Sequence, residues 1–334
     1  MTHKVSICIK ALNEAEHING AIESALRAQA PFDGEVILAD SGSTDETVAI
    51  ARRYPITIVQ LNKISDQSCG AGGQLAFQHS SGEYIYLMDG DMHLHADFIA
   101  TAIAYLDAHG DVGAVGGTVV ERRLANLEFK VRQKALHREQ HQREGFVDRL
   151  NGGGLYRRKA IADVGYFTDR NLHGFEEYEL GARLTKHGWG IVRLPRTAVD
   201  HFGYTMNAYS LLWKRITSKY AYAGGEVIRA SLARKHFLYS VKHFSHIRQW
   251  AVVIGWWLCF LLAVIFLQGT KLLLGLLIML LMPIIFLSIR RGSITTGIYS
   301  LISWNVSTFG ALIGVWRGRQ PPDEPISSLV IQRR

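Results

Sequence analysis

The sequence predicts an α/β domain with a mostly parallel central sheet, followed by interfacial amphipathic helices and C-terminal transmembrane helices. Three observations predict this. From Lys4 to Asp89, short apolar runs alternate with helical patterns, as in chains of βα units. Polar residues stand where the predicted strands end, the edge at which parallel sheets bind ligands. Finally, Ala251–Leu267 and Leu272–Ile289 are free of charge, and each approaches the roughly 20 apolar residues that cross a bilayer.

The elements follow in order. Lys4–Ile9 reads as a buried strand. It is too short for the apolar core of a signal peptide, and no cleavage pattern follows it. Glu14–Gln29 reads as a helix with Ile18, Ala21, Ile22, Ala25 and Leu26 on its apolar face. Glu35–Ala39 is a second strand ending at Asp40. Ser43-Thr44-Asp45-Glu46 offers an N-cap with acids in the first turn of the next helix. Thr57–Gln60 is a third strand, Gly70–His79 a helix, and Tyr84–Asp89 a fourth strand.

That fourth strand stops in Asp89-Gly90-Asp91. Residues i and i+2 of a strand share a face, so the two carboxylates make a compact dianionic site. The glycine lets a ligand approach the backbone. Such hard oxygen ligands suit Mg²⁺ or Mn²⁺ bridging to a diphosphate. An ordinary turn would use the same residue types.

The 334 residues carry a net charge of +8. That balance fits nucleic acid, anionic lipid or a phosphorylated substrate. Cys8, Cys69 and Cys259 have no metal-ligand spacing and form no disulfide framework, which fits a reducing compartment. Residues 206–248 hold eight Lys or Arg and one acid, Glu226. There Tyr209, Leu212, Trp213, Ile216 and Tyr220 fall on one helical face, with Lys214, Arg215 and Lys219 off it, a pattern for the headgroup plane. No nucleic-acid recognition motif accompanies the basic segment, so anionic lipid suits it better.

Two spans are expected at 250–268 and 272–289. Arg248 precedes the first and Arg290-Arg291 follow the second, which places the N-terminal domain in the cytoplasm. The segment 294–316 carries a small-residue stripe (Thr296, Ser300, Ser303, Ser307, Gly310, Gly314) suited to close helix packing. If it spans, the basic tail at 317–334 lies outside, against the charge rule. A re-entrant or interfacial helix keeps the tail inside. The sequence leaves both open. The expected organisation is thus 1–205 as the α/β domain, 206–248 as interfacial helices, 249–316 as membrane helices and 317–334 as a tail.

Taken together, several motifs carry a resemblance. Ile9-Lys10-Ala11-Leu12-Asn13-Glu14, Ala39-Asp40-Ser41-Gly42-Ser43-Thr44-Asp45-Glu46-Thr47, Gly82-Glu83-Tyr84 leading to Asp89-Gly90-Asp91, Asn151-Gly152-Gly153-Gly154-Leu155, Val164-Gly165-Tyr166-Phe167, Glu176-Glu177-Tyr178-Glu179-Leu180, Arg183-Leu184 and His201 occur in one order over about the first 205 residues. In this the chain resembles the family 2 glycosyltransferases, which have the GT-A fold, use nucleotide-sugar donors and invert the anomeric centre.

The resemblance implies that Ala11, Asn13, Glu14 and Asp40, with Asp40 foremost, hold the uridine or other nucleoside of the donor, a UDP-sugar leading. Asp89, Gly90 and Asp91 would take the metal and diphosphate, with Asp91 as direct ligand, and His201 would be a further metal ligand or diphosphate contact. Glu177 aligns with the catalytic base, which most relatives supply as the Asp of a Glu-Asp pair; Glu176 is the alternative. Gly152, Gly153 and Gly154 would let the acceptor approach. Two departures stand out. Gly73-Gln74 replaces the family's frequent Arg-Asn pair, and the Gln-x-x-Arg-Trp signature of processive synthases is missing. Trp213-Lys214-Arg215 lies in a comparable region, so Arg215 is a candidate diphosphate contact or a membrane-surface residue.

The expected activity is metal-dependent, inverting transfer of a sugar to a membrane-held acceptor. A polyprenyl-diphosphate-linked saccharide of exopolysaccharide or O-antigen synthesis leads, at a bacterial inner membrane. The alternatives are a polyprenyl-phosphate acceptor, which needs no base, and a non-catalytic nucleotide-sugar-binding scaffold.

Overall fold

The computed structural model describes residues 4–122, 143–203 and 206–334. The chain forms two units. One comprises Met1–Thr205, Arg234–His236 and Gly318–Arg334, the other Met206–Ala233 and Phe237–Arg317.

The first unit is built on a ten-stranded sheet. Its strands are β1 (Val5–Ala11), β2 (Gly34–Asp40), β3 (Thr57–Leu61), β4 (Tyr84–Asp89), β5 (Met92–Leu94), β6 (Val112–Glu121), β7 (Gly145–Phe146), β8 (Gly154–Arg157), β9 (Gly190–His201) and β10 (Ser328–Gln332). They lie in the order β10-β3-β2-β1-β4-β8-β6-β9-β5, with β7 beside β9. The expected parallel core is present: β2 and β4 flank β1 in parallel, and β3 extends it. Beyond β4 the sheet is mixed. β8 runs antiparallel to β4 and β6, while β9 is parallel to β6.

Alternation along the strands sorts the core into two faces. Val5, Ile7 and Ile9 of β1 join the helices α1 (Ile18–Gln29) and α4 (Ala96–Ala108) through Ile18, Ile22, Phe98 and Ile99. On the other face Cys8, Ile37, Ile85 and Leu87 meet Leu75 of α3 (Cys69–Gln78) and Leu180 and Leu184 of α6 (Glu176–Lys186). The short helices α2 (Thr47–Ala51) and α5 (Arg158–Asp163) also belong to this unit.

Two expected helix starts move. α1 begins at Ile18 rather than Glu14, because Asn13 takes a left-handed backbone (φ 57°) and the amides of Glu14 and Ala15 are bound by Thr47 Oγ1 and Asp45 Oδ2. α2 begins at Thr47, where Asp45 Oδ1 accepts its amide at 3.0 Å. The basic tail is also more than a tail. β10 pairs antiparallel with β3, Ser328 opposite Leu61, and Asn62 N–H donates to Ser327 O.

The second unit is helical: α7 (Ala208–Thr217), α8 (Ala223–Ser231), α9 (Phe237–His243), α10 (His246–Phe266), α11 (Gly269–Arg291) and α12 (Ile294–Trp316). α7 ends before Tyr220, which sits in a following 3₁₀ turn, and its buried face is Ala208, Leu211 and Leu212. Trp213 of the expected apolar stripe is exposed, and Tyr209 is only partly covered. Among the described residues three helices, α10, α11 and α12, are long and apolar enough to cross a membrane.

Candidate active site

The strand order places a reversal at β1. From β1 the chain moves outward through β2 and β3, then returns to β4 on the other side. In parallel sheets the crevice at such a reversal, beyond the strand C-termini, binds ligands. The end of β1 (Lys10, Ala11) therefore faces Asp40 of β2 and Asp89 of β4 directly across the ladders.

One wall is the loop after β1 locked to the loop after β2. Asn13 Oδ1 accepts from Thr44 N at 2.8 Å, and Ser43 Oγ accepts from Asn13 N at 2.8 Å. Asp40 is fully buried. Its Oδ2 accepts from the amides of Gly42 and Ser43 and from Gln60 Nε2. Its Oδ1 is buried with no hydrogen-bond partner. A buried carboxylate oxygen costs free energy unless something donates to it, so this atom is an unsatisfied acceptor at the strand ends. Gly90 lies where a Cβ would come 3.0 Å from Glu14 Cγ and 3.2 Å from Ala11 Cβ. Ala11, Glu14 and Gly90 are thus one packed surface.

The centre of the site is Lys10, to which the sequence alone assigned no role. Its Nζ donates to Glu176 Oε1 at 2.5 Å and stands 3.0 Å from Asp89 Oδ1. Burial works against this ammonium, but the two carboxylates hold its pKa well above the ordinary lysine value. Gly72 of α3 makes room, since a Cβ there would press on Lys10 Cβ at 3.1 Å.

Asp91 and His201 are brought together by β5 and β9. Met92 is opposite His201, and His201 Nε2 is 3.2 Å from Asp91 Oδ2. The other ring nitrogen, Nδ1, is 2.6 Å from Glu121 Oε2, its neighbour in the β6–β9 ladder. Burial would lower the His201 pKa, yet these two carboxylates raise it to about 10. Burial likewise opposes ionisation of Asp91, but His201 holds it below the ordinary carboxylate value. Among the described residues no cluster of three or more His, Cys, Asp or Glu forms a ready metal cage. The donor set still fits a divalent cation once His201 gives up its Nε2 proton, and a diphosphate would supply the remaining ligands. A carboxylate and an imidazole nitrogen lie side by side, with the far ring nitrogen oriented by a second carboxylate.

Glu176 and Glu177 open α6. The residue before them, Phe175, has φ 60°, a left-handed conformation that costs free energy outside glycine and clusters at functional sites. Glu176 is buried and engaged by Lys10. Glu177 is half-buried. Desolvation pushes its pKa up to about 8; Glu176 and Asp89 add to the rise, while Lys10 and Arg193 oppose it. Arg193, also missed in the sequence, is buried, donating to Asn151 Oδ1 at 2.9 Å and to Gly117 O. It ties β9 to the glycine loop.

That loop needs its glycines. Gly152 and Gly153 have φ 72° and 103°, and a Cβ on Gly153 would lie 2.8 Å from Tyr86 Oη. Gly154 pairs with Leu87, two residues before Asp89, so the loop adjoins the end of β4. The Gly73-Gln74 departure has a packing reason. Gly73 abuts Thr168, and Gln74 Oε1 accepts from the amides of Phe167 and Thr168. Arg215 lies on α7 in the second unit, its guanidinium 5.2 Å from the Tyr220 ring.

A mixed α/β sheet with acids gathered beyond the strand ends at a topological reversal is the GT-A arrangement. The mannosyltransferase PcManGT of Pyrobaculum calidifontis, solved with GDP-Man and Mn²⁺, shares the fold with a TM-score of 0.62 at 19% identity, over 92% of this chain and 88% of that one. TarS 1-349 of S. aureus, solved with UDP-GlcNAc, gives a TM-score of 0.55 at 16% identity over 74% and 72%. Residues 6–165 match the model of Glycosyl transferase family 2, and the chain carries a glycosyltransferase domain of that family. Among curated proteins it is 27% identical over 216 residues to the succinoglycan biosynthesis protein ExoA of Rhizobium meliloti (strain 1021), spanning 59% of this chain and 62% of the relative. It is 32% identical over 116 residues to 4,4'-diaponeurosporenoate glycosyltransferase of Staphylococcus aureus (strain USA300), spanning 33% and 30%. The chain thus covers less than two thirds of the length of either.

Proposed function

We propose that the protein transfers a sugar, with inversion, from a nucleoside-diphosphate sugar to a hydroxyl of a membrane-held acceptor. The observation that carries this is the Lys10 bridge. One ammonium joins Asp89, at the expected diphosphate side, to Glu176, beside the expected base.

Asp40, with its unpartnered Oδ1, receives an N–H of the nucleobase, and Ala11, Asn13 and Glu14 line the nucleoside; uracil offers the matching donor, so a UDP-sugar is the donor we favour. Asp91 and His201, with Asp89 two residues from Asp91, would hold Mg²⁺ or Mn²⁺, which would supply positive charge for the departing diphosphate. Glu177 takes the acceptor hydroxyl proton as that oxygen bonds to the anomeric carbon. The anomeric carbon–diphosphate bond breaks on the opposite face, and the nucleoside diphosphate leaves with the electron pair. Glu176 is committed to Lys10, which leaves Glu177 as the base. Gly152–Gly154 give the acceptor room. The likeness to ExoA and the apolar helices support a lipid-linked saccharide acceptor, and Arg248, Arg290 and Arg291 support a catalytic domain on the cytoplasmic face of a bacterial inner membrane with anionic lipid.

A second reading has its own observation. With a pKa of about 8, Glu177 is mostly protonated at neutral pH in the free protein. A protonated carboxyl suits an acceptor oxygen that is already ionised, such as a lipid phosphate or carboxylate.

Turnover of a donor panel in nanodiscs, with Mn²⁺ or Mg²⁺ and lipid-linked acceptors, tests both. Loss of transfer in Asp91→Asn and Glu177→Gln supports the hydroxyl acceptor. Loss in Asp91→Asn alone supports the ionised one. Nucleotide binding without turnover on any acceptor would favour a scaffold.

A further inference from the structure

Among the described residues three helices are long and apolar enough to cross a bilayer, and an odd number of crossings would put the elements before and after them on opposite sides. The first unit forbids that. β10 follows all three helices, yet it is hydrogen-bonded to β3, which precedes them. Arg319 Nη2 also reaches the buried Asp169 Oδ2 at 2.7 Å, and Ile326 N donates to Gln78 Oε1 at 2.8 Å. A sheet cannot pair through a membrane, so the chain crosses an even number of times.

The same logic confines the segment before the spans. Arg234–His236 belongs to the first unit, with His236 buried 3.7 Å from Glu179. α7 and α8 are therefore bracketed by residues of the first unit and stay on its side of the membrane. α12 is bound to both. Tyr299 packs edge-on to Tyr209 of α7 at 5.6 Å. Farther along, Gly310 and Gly314 lie where a Cβ would strike the carbonyls of Ala221 and Tyr222, and Gly225 of α8 abuts Ala311 O as closely. The buried Glu226 of α8 faces Arg317 at 3.7 Å. From Tyr299 to Gly314 is about 23 Å of helix at 1.5 Å per residue; both ends rest on same-side elements, and between them Asn305 Oδ1 and Ser307 Oγ accept from Trp257 and Trp250 of α10.

We infer that, among the described residues, α10 and α11 form the one membrane-crossing hairpin and that α12 lies along the membrane surface on the side of the first unit, its outer face in the lipid. The partner of that face is the acyl layer under the headgroups. Phe309, Leu312, Ile313 and Trp316 follow the i, i+3, i+4, i+7 spacing and are 47%, 46%, 50% and 88% exposed. The opposite face (Ser300, Thr308, Ala311) is buried. In α12, 33% of the most apolar window is buried, against 6% in α10 and in α11, and it is the least apolar of the three. Within the small-residue stripe, Gly310 and Gly314 thus seat the 221–222 turn and α8, while Ser307 Oγ accepts from Trp250 of α10. Arg317, Arg319, Arg333 and Arg334 stay with the first unit, and the charge rule is obeyed.

Single cysteines in the full-length protein test this, with Cys69 and Cys259 replaced by serine; Cys8 is wholly buried and stays. Thr270→Cys, Ser293→Cys and Gly318→Cys are probed with a membrane-impermeant maleimide in right-side-out and inside-out vesicles. Thr270→Cys should label from one face, and the other two only from the opposite face. A separate pair, Asn62→Cys with Ser327→Cys, whose side chains meet at 3.1 Å, should form a disulfide in the intact membrane. Labelling of Gly318→Cys from the face that labels Thr270→Cys would overturn the inference, as would failure of the 62–327 pair to cross-link. Sugar transfer enters none of these readouts, so failure here leaves the proposed activity standing.

Discussion

Replacing Lys10 by methionine removes one positive charge from a cluster of three carboxylates while keeping most of the side-chain volume. Lys10 is the strongest of the groups that hold the pKa of Glu177 down, ahead of Arg193. Glu177 sits at about 8 even with Lys10 present. At pH 7 about one molecule in ten then has Glu177 ionised, since each unit is a factor of ten. Without Lys10 the value climbs further, and a rise of about one unit lowers kcat/KM at pH 7 about tenfold. The loss should shrink at higher pH as Glu177 ionises. A base must be deprotonated to act, so wild-type kcat/KM should rise with pH through about 8, and the Lys10→Met profile should be displaced to higher pH. Breaking a buried pair costs about 3–5 kcal/mol; with the Asp89 side chain 38% exposed, the low end is expected as a lower apparent Tm in detergent. A Lys10→Met profile with the wild-type inflection and a uniform loss at every pH would refute this reasoning, because Lys10 would then not act through the charge of Glu177.

Other outcomes follow from the same geometry. Asp40→Asn places an amide where Gly42, Ser43 and Gln60 already donate, and should weaken UDP binding by about 10- to 100-fold in calorimetry, the weight of about 1–3 kcal/mol. Gly153→Ala combines φ 103° with a 2.8 Å approach to Tyr86 Oη and should lower the melting temperature more than Gly165→Ala, where φ is 92° and the space is open. Burial, reinforced by Arg183 and Arg234, lowers the His236 pKa to about 4 from an unfolded value near 6.5. Its neutral form is the one the fold favours, so its contribution is present above pH 6.5 and is lost as pH falls towards 4. His236→Gln should flatten the stability profile over that window.

Much of the fold was legible because apolar runs end in polar residues. β1 to β4 and α3 declare themselves that way, as does Asp89-Gly90-Asp91 at the end of β4. The rest depends on contacts distant in sequence. The Glu14 turn is not helical because it is hydrogen-bonded to the loop at 43–47. β10 has only Leu329-Val330-Ile331 between polar residues, so it reads as a tail until β3 is seen beside it. Of the site, Asp91 and His201 lie 3.2 Å apart, and Glu176 and Glu177 open one helix. Lys10 offered a local signal, a lysine inside a strand of buried apolar residues, but its partners lie on β4 and α6. Glu121 had no such signal, because only the β6–β9 register puts it beside His201.

The most direct test of the central claim is transfer by Glu177→Gln beside Glu176→Gln and wild type, in nanodiscs with a hydroxyl acceptor, with nucleotide affinity measured on the same samples. The account predicts that Glu177→Gln binds nucleotide as wild type does and loses about 10²- to 10⁴-fold in kcat, the usual weight of a general base, with wild-type product inverted at the anomeric carbon. Full hydroxyl transfer by Glu177→Gln, or a product of retained configuration, would contradict it.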